Sequence, residues 1–445
     1  MSNTCCCPAT EPVRPEPIKP EPARLAPEEI AETLRRALAV PGLIGAEDSA
    51  IIFHDLSSMT ARCRAIQNAF PENALHTLAV KANPLAGVLR EAAKLGMGLE
   101  AASLAELHLA LAAGALPERI VFDSPVKTEE ELAFALTKSV HINADSLEEL
   151  ARLEKLLARQ KSDSVIGLRI NPQVGLGAIP LTSVAGEYSK FGVPLGEKRE
   201  EIIAAFQRYP WLCGLHVHIG SQGCPLLLLV NGVSVVFAFA EEINRQLVAS
   251  RRRLHIFDLG GGLPVCYRDE QPSPSMAAYA QALRQTMPAL FTADWRIISE
   301  FGRFVQANAG WAVSRIEYVK AGALPTIAIH VGADLFLRRC YRPDDWHHDL
   351  FVCDASGHIK TGETRPYAVA GPLCFAGDLL ARHVMLPEAQ AGDLLIIRDA
   401  GAYTLSMWSR YNSRQIPQVI GWDGNSFTVL RRRESLAELA VFWGA

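Results

Sequence analysis

Leu75-His76-Thr77-Leu78-Ala79-Val80-Lys81-Ala82-Asn83-Pro84 is the stretch on which the reading of the fold turns. A run suited to a buried strand ends at a lysine, and Asn-Pro then breaks the extended segment. An amine is thereby set at the carboxyl end of a buried strand, where α/β proteins gather their chemistry. Desolvation at that point disfavours the ammonium, so Lys81 is expected as a neutral, nucleophilic amine able to form a Schiff base. The plain alternative is a lysine snorkelling from a strand end to water. Its neighbours decide between the two.

Working outward, short apolar runs alternate with amphipathic segments across residues 51–310. Residues 78–80 precede 85–95, 120–122 precede 128–136, 165–170 precede 198–206, and 215–219 precede 226–248. Such strand-then-helix units, with little alternation inside the strands, argue for a parallel sheet covered by helices. Roughly eight units fit the span, which favours a closed (β/α)8 TIM barrel over an open sheet. The first strand also lacks a Gly-x-Gly-x-x-Gly turn. After Gly310 the texture becomes short β-rich runs at 327–331, 394–399 and 426–431, separated by turn residues. The expected organisation is a disordered Pro-rich leader (1–24), an N-terminal helix and strand packing on the β domain (25–50), a barrel (51–310) and a mostly antiparallel C-terminal β domain (311–445).

Composition narrows the function classes. The 445 residues are 49% apolar and 21% charged, as in a soluble globular protein, and a formal net charge of −4 gives no case for nucleic acid. The longest apolar stretch, 225–240, contains Asn231 and is too short for a membrane span, so it reads as buried helix. Ten cysteines without a secretory signal suggest reduced thiols and a cytoplasmic location. Cys5-Cys6-Cys7 has no histidine or second cysteine pair spaced to complete a zinc site, and no metal is expected.

Three further motifs lie at strand ends. His216-Val217-His218-Ile219-Gly220-Ser221 puts two histidines on one side of a strand before a close-approach turn. His218 there suits stacking on a flat ligand, or a satisfied core histidine. Asp258-Leu259-Gly260-Gly261-Gly262 exposes backbone N–H groups fit for a phosphate, though tight turns also need glycine for local reasons. Ser299-Glu300-Phe301-Gly302-Arg303 offers a carboxylate for a ring nitrogen and an arginine for an anion, or an internal Glu–Arg ion pair. An amine, a stacking histidine, two phosphate-binding turns and an acid together describe a pyridoxal 5′-phosphate site.

With these motifs in order, the chain resembles the fold-type III pyridoxal-phosphate decarboxylases, the diaminopimelate and ornithine decarboxylase family, and is closer to the diaminopimelate branch. The likeness also runs through Ser189-Lys190-Phe191-Gly192, Gly371-Pro372-Leu373-Cys374, Asp399-Ala400-Gly401-Ala402-Tyr403 and Tyr411-Asn412-Ser413-Arg414. It implies a barrel of the alanine-racemase type and a homodimer whose active sites are shared, with small amino-acid substrates. Lys81 would carry the cofactor, His218 stack on its ring, and Glu300 pair with the ring nitrogen. Ser221, Gly260, Gly261, Gly262, Gly302, Arg303 and Tyr403 would hold the phosphate, and Cys374 would deliver a proton to Cα from the partner subunit.

Departures from the family pattern concentrate where substrate is read. Diaminopimelate enzymes carry Glu after the cysteine and ornithine enzymes Asp, whereas this chain has Phe375. The arginine for a distal carboxylate aligns with Leu337, although Arg338 is adjacent and Tyr341 matches. Arg303, Arg338, Tyr341 and Phe375 are therefore the expected substrate contacts. Loss of a charged partner in a desolvated pocket argues for a substrate with a bulky or differently functionalised distal end, such as a citryl-amino-acid intermediate of siderophore biosynthesis. Diaminopimelate decarboxylation, amino-acid racemisation and a non-catalytic regulatory role are the alternatives. Two smaller departures are Glu100, where relatives often have Asp, and Phe301, where Pro is usual.

Overall fold

The computed structural model describes residues 22–271 and 273–445; the Cys5-Cys6-Cys7 leader lies outside them. Eight parallel strands close a barrel: Leu75–Ala79, Gly98–Ala101, Ile120–Phe122, His141–Ala144, Ile166–Asn171, Leu212–His216, Ile256–Asp258 and Arg296–Glu300. Each pairs with its neighbours in chain order, and Leu75–Ala79 meets Arg296–Glu300 to complete the ring. A closed ring leaves no edge among these strands, so both faces are covered and the strands read as apolar runs rather than alternating ones. All five residues of Leu75–Ala79 are buried accordingly.

The covering helices start where the sequence supplies caps. Ser103, Thr128, Ser146 and Ser275 each accept a hydrogen bond from the backbone N–H three residues on, which fixes the loop-to-helix junctions at the strand ends. Residues 225–240 belong to the helix Leu226–Leu247, which packs against Met276–Thr286 on the outside of the barrel. By length and composition it is the one helix among the described residues apolar enough to cross a membrane.

The remaining strands form two sheets. The first has the order Leu350–Cys353, Leu394–Ile397, Gly310–Arg315, Ala50–Asp55, Gln418–Trp422, Phe427–Arg431, antiparallel except where Ala50–Asp55 runs parallel to Gln418–Trp422. The N-terminal strand thus sits in the middle of this sheet, and the helix Pro27–Leu38 lays Ile30, Leu34 and Ala37 against its face. Its insertion threads the start of the chain into the C-terminal sheet. The second sheet joins Tyr318–Lys320, Thr326–Ala328, Thr364–Ala370 and Leu379–Pro387. Residues 22–24, which the sequence groups with the leader, are held by the fold: Arg62 donates to the carbonyls of Pro22 and Ala23 at 3.1 and 3.3 Å.

Candidate active site

Lys81 sits in a single 3-10 turn, Val80–Ala82, directly after its strand. Its side chain is 37% exposed, and its ammonium lies 2.5 Å from the buried Glu100 Oε2. The expected neutral amine is corrected here. Burial does pull the Lys81 pKa down, but the charges of Glu100, Asp123 and Glu300 together outweigh it and hold the ammonium above its ordinary range. Strand-end desolvation was the right force; three acids from neighbouring strand ends reverse its result.

Those acids share a shortage of protons. Burial and the adjacent Asp123 push Glu100 well above the usual carboxylate range. Burial alone would raise Asp123 too, yet the charge of Lys81 and the neighbouring Glu100 carboxyl hold it below its ordinary value, so Asp123 is the member of the pair that carries the charge. Burial, then the Asp123 charge, raise Glu300 to about 8. Buried oxygens of all three (Glu100 Oε1, Asp123 Oδ1 and Glu300 Oε1) have no hydrogen-bond partner. His216 Nε2 is 3.6 Å from Glu300 and 4.0 Å from Asp123, and ligand atoms of these three residues lie within 4.8 Å of one another. Such a trio has the minimum donors for a metal ion. The Lys81 ammonium already supplies a cation to these acids, however, and a further cation compatible with it is a protonated ring nitrogen. His218 Nδ1 accepts from the Gly261 N–H at 3.0 Å, and burial holds its pKa well below the ordinary value, so it presents a neutral imidazole.

Glycine is required where backbone segments close on one another. Gly260 and Gly262 have φ of +67° and +95°. A Cβ on Gly261 would stand 2.2 Å from the Glu300 carbonyl, and one on Gly262 1.9 Å from that of Gly220. This packing draws the glycine turn against Ser221 on one side and the Glu300 strand end on the other. Gly302 lets its short helix lie against the Lys81 turn, since a Cβ there would meet the Cβ atoms of Ala79 and Ala82 at 2.8 Å. Arg303 donates to Ser221 Oγ at 3.0 Å and to Tyr267 Oη at 2.8 Å. It does not pair with Glu300, which removes the internal ion-pair reading.

From the second domain, the Tyr403 N–H donates to the Ala82 carbonyl at 2.8 Å, and Asn83 Nδ2 donates to Gly401 O at 3.1 Å. The Tyr403 ring carries two guanidiniums: Arg303 Cζ is 4.5 Å and Arg338 Cζ 4.4 Å from its centroid, and both also face Trp346. Arg338 Nη1 is buried without a partner, and burial, then Arg303, lower the Arg338 pKa to about 10. Neither arginine has a carboxylate partner among the described residues. Two stacked cations of this kind form a receptor for an anion.

Cys374, Phe375 and Tyr341 make a separate, solvent-facing group. Tyr341 stacks on Phe375 at 5.1 Å, the Cys374 N–H donates to Asn412 Oδ1 at 2.7 Å, and Tyr411 Oη donates to the Cys374 carbonyl at 3.0 Å. No hydrogen bond, ion pair or ring contact among the described residues joins this group to Lys81, His218 or Glu300 of the same chain. Sequence reasoning missed Asp123, Tyr267 and Trp346. Asp123 carried a signal, since it follows the strand Ile120–Phe122 as Lys81 follows its own; the two aromatics lie in loops and carried none.

The unpartnered Glu300 oxygen, the neutral His218 and the glycine turn that no Cβ could enter fit a protonated, phosphorylated pyridine ring. Comparison with known proteins agrees. The pyridoxal-binding domain of the pyridoxal-dependent decarboxylases matches residues 56–307. A diaminopimelate decarboxylase of Neisseria meningitidis serogroup B is 33% identical over 406 residues, covering 89% of this chain and 94% of its own. One from Pseudomonas aeruginosa is 35% identical over 364 residues, 81% of this chain and 84% of its own. The crystal structure of diaminopimelate decarboxylase from Helicobacter pylori complexed with L-lysine superposes with a TM-score of 0.79 at 28% identity, covering 89% of this chain and 97% of that one. A lysine/ornithine decarboxylase from Vibrio vulnificus, at 22% identity and a TM-score of 0.73, shares the fold. The chain belongs to the pyridoxal-dependent decarboxylase family and is a carboxy-lyase that uses pyridoxal 5′-phosphate.

Proposed function

We propose that this enzyme α-decarboxylates an amino acid or amino-acid conjugate whose far end carries carboxylate but no ammonium. The observation that supports this reading is Arg338 beside Arg303 on the Tyr403 ring, with a buried, unpartnered Nη1. Leu337 occupies the aligned position, yet its neighbour Arg338 brings a guanidinium into the same receptor. The cation for a distal carboxylate is kept, while Phe375 removes the acid that a distal ammonium needs. A citryl-type conjugate has that chemistry.

In this reading Lys81 would hold the cofactor covalently between turnovers, its amine being set free only while substrate is bound. Glu300 would keep a proton on the ring nitrogen, His218 would lie against the ring, and the glycine turn with Ser221, Gly302, Arg303 and Tyr403 would hold the phosphate. When bound, the cofactor supplies an electron sink for the pair left at Cα as carbon dioxide departs. Cys374 delivers the replacing proton. Its exposure, with no bond to Lys81, His218 or Glu300 among the described residues, supports a homodimer in which each active site borrows Cys374, Phe375 and Tyr341 from the other subunit. The seven described cysteines are all free thiols, which favours a reducing, cytoplasmic setting.

A second reading is favoured by the relatives: proteins named diaminopimelate decarboxylase are 33–35% identical to this chain. Carbon dioxide release from meso-diaminopimelate, a citryl-diaminopropionate conjugate and L-ornithine decides between them. Preference for the conjugate supports the first reading; efficient turnover of meso-diaminopimelate overturns it in favour of the second.

A further inference from the structure

Arg24 precedes the first helix, far in sequence from every motif of the site. Its side chain is nevertheless only 7% exposed. Nε donates to both carboxylate oxygens of Asp399, at 3.1 and 2.9 Å, and Nη2 bonds Asp399 as well. Nη1 lies 2.8 Å from Asp269 and 2.6 Å from Asp349, and Nη2 donates to the Tyr267 carbonyl at 3.0 Å. Arg398 in turn donates to the Leu25 carbonyl at 2.6 Å, so the segment is fixed from both sides.

The two main partners lead into the active site by separate routes. Asp399 opens the loop that ends at Tyr403. Both residues have left-handed backbone, φ +59° and +57°, a conformation that non-glycine residues hold only when surroundings impose it. Asn308 adds a bond to Asp399 at 2.6 Å. Tyr267, on the other route, receives Arg303 on its hydroxyl. One guanidinium therefore ties together the two loops that carry Tyr403 and the support of Arg303.

We propose that Arg24 is a positioning residue for the phosphate and anion-binding end of the active site, acting through Asp399 on Tyr403 and through Tyr267 on Arg303. The N-terminal segment is then a strap across the cofactor end. The inference rests on the assignment of Tyr403 to the cofactor phosphate, which Tyr403→Phe tests by itself.

The experiment titrates cofactor-stripped enzyme with pyridoxal 5′-phosphate, following fluorescence, for the parent, Arg24→Gln, Tyr403→Phe and the double variant. Arg24→Gln is expected to raise the dissociation constant about tenfold, and the double variant to lose clearly less than the product of the two single losses, because one of the two routes from Arg24 runs through Tyr403. Asp269→Asn weakens the ion pairs of a largely exposed carboxylate with Arg24 and Arg398 and should stay within about twofold of the parent. Parent-like affinity in folded Arg24→Gln, or fully multiplicative losses in the double variant, overturns the proposal. Unchanged affinity in Tyr403→Phe would instead overturn the phosphate assignment. If Arg24→Gln does not fold, Arg24→Lys, which keeps the charge but loses the multiple grip, gives the same comparison.

Discussion

The Lys81 ammonium lies 2.5 Å from Glu100, at the end of the adjacent strand, where Glu100 pairs in register with Ala79. The contact explains how a strand-end lysine stays charged in a desolvated site. It also sets a condition on cofactor capture, because the amine attacks only after giving up a proton that Glu100, Asp123 and Glu300 retain. Asp123→Asn removes the ionised member of the Glu100–Asp123 pair. The pH at which capture of pyridoxal 5′-phosphate reaches half its maximal rate should then fall by about one unit or more. Stopped-flow absorbance across pH measures it, and an unchanged midpoint would mean that Asp123 does not control the amine.

Cys374 and Lys81 test the shared site. Cys374→Ala and Lys81→Ala should each be inactive as pure proteins. Unfolded and refolded together, they should regain about a quarter of parent activity, since half of randomly paired dimers are mixed and each mixed dimer has one intact site. Activity that stays at zero in verified mixed dimers would place the proton donor within one chain.

Much of this site was legible because its signals are local. A lysine after an apolar run, three glycines after another and Glu300 after a third need only strand ends and turns to be read. The charge state of Lys81 was not local: it depends on Glu100 and Asp123, which parallel pairing of successive strands sets beside it, and on Glu300, which only barrel closure brings in. Arg338 was half legible, since the family pattern falls on Leu337 and only the folded chain shows the Arg338 guanidinium on the Tyr403 ring. Arg24 could not be read at all, because nothing in residues 22–25 hints at Asp399, some 375 positions away.

The buried acids give the cofactor-stripped enzyme a distinctive stability profile. Burial raises Glu300 and Asp258 to about 8, so in the folded state they keep protons that the unfolded chain has already lost. Folding therefore binds protons between about pH 4 and 8, and stability falls as pH rises through that interval. Below about pH 6.5 the effect is opposed, because His54, His76, His141 and His348 are buried with pKa values lowered to about 4 and favour the unfolded state as they charge. The clean window is pH 6.5–8, where the unfolding free energy should fall with rising pH by up to about 1.4 kcal/mol per unit for each acid, seen as a falling Tm. Adding pyridoxal 5′-phosphate should flatten the slope by giving ionised Glu300 a cationic partner. A Tm that rises with pH in that window would contradict the acid assignment.

Phe375 and Arg338 separate the two ends of substrate recognition. Phe375 stacks on Tyr341 at the surface, so Phe375→Glu gives up a ring contact worth about 1 kcal/mol and should leave the fold intact. The introduced carboxylate would restore a partner for a distal ammonium, and kcat/KM for meso-diaminopimelate should rise about 10- to 100-fold over the parent. Arg338→Leu acts on the other group. Removing the guanidinium with the free Nη1 should raise KM for substrates with a distal carboxylate about tenfold or more while leaving kcat nearly unchanged, since Arg338 bonds neither Lys81 nor the glycine turn. Steady-state kinetics of both variants on both substrates decide the matter. If Phe375→Glu gains nothing on meso-diaminopimelate while the parent already turns it over well, the distal ammonium is read elsewhere, and the substrate is that of the named relatives.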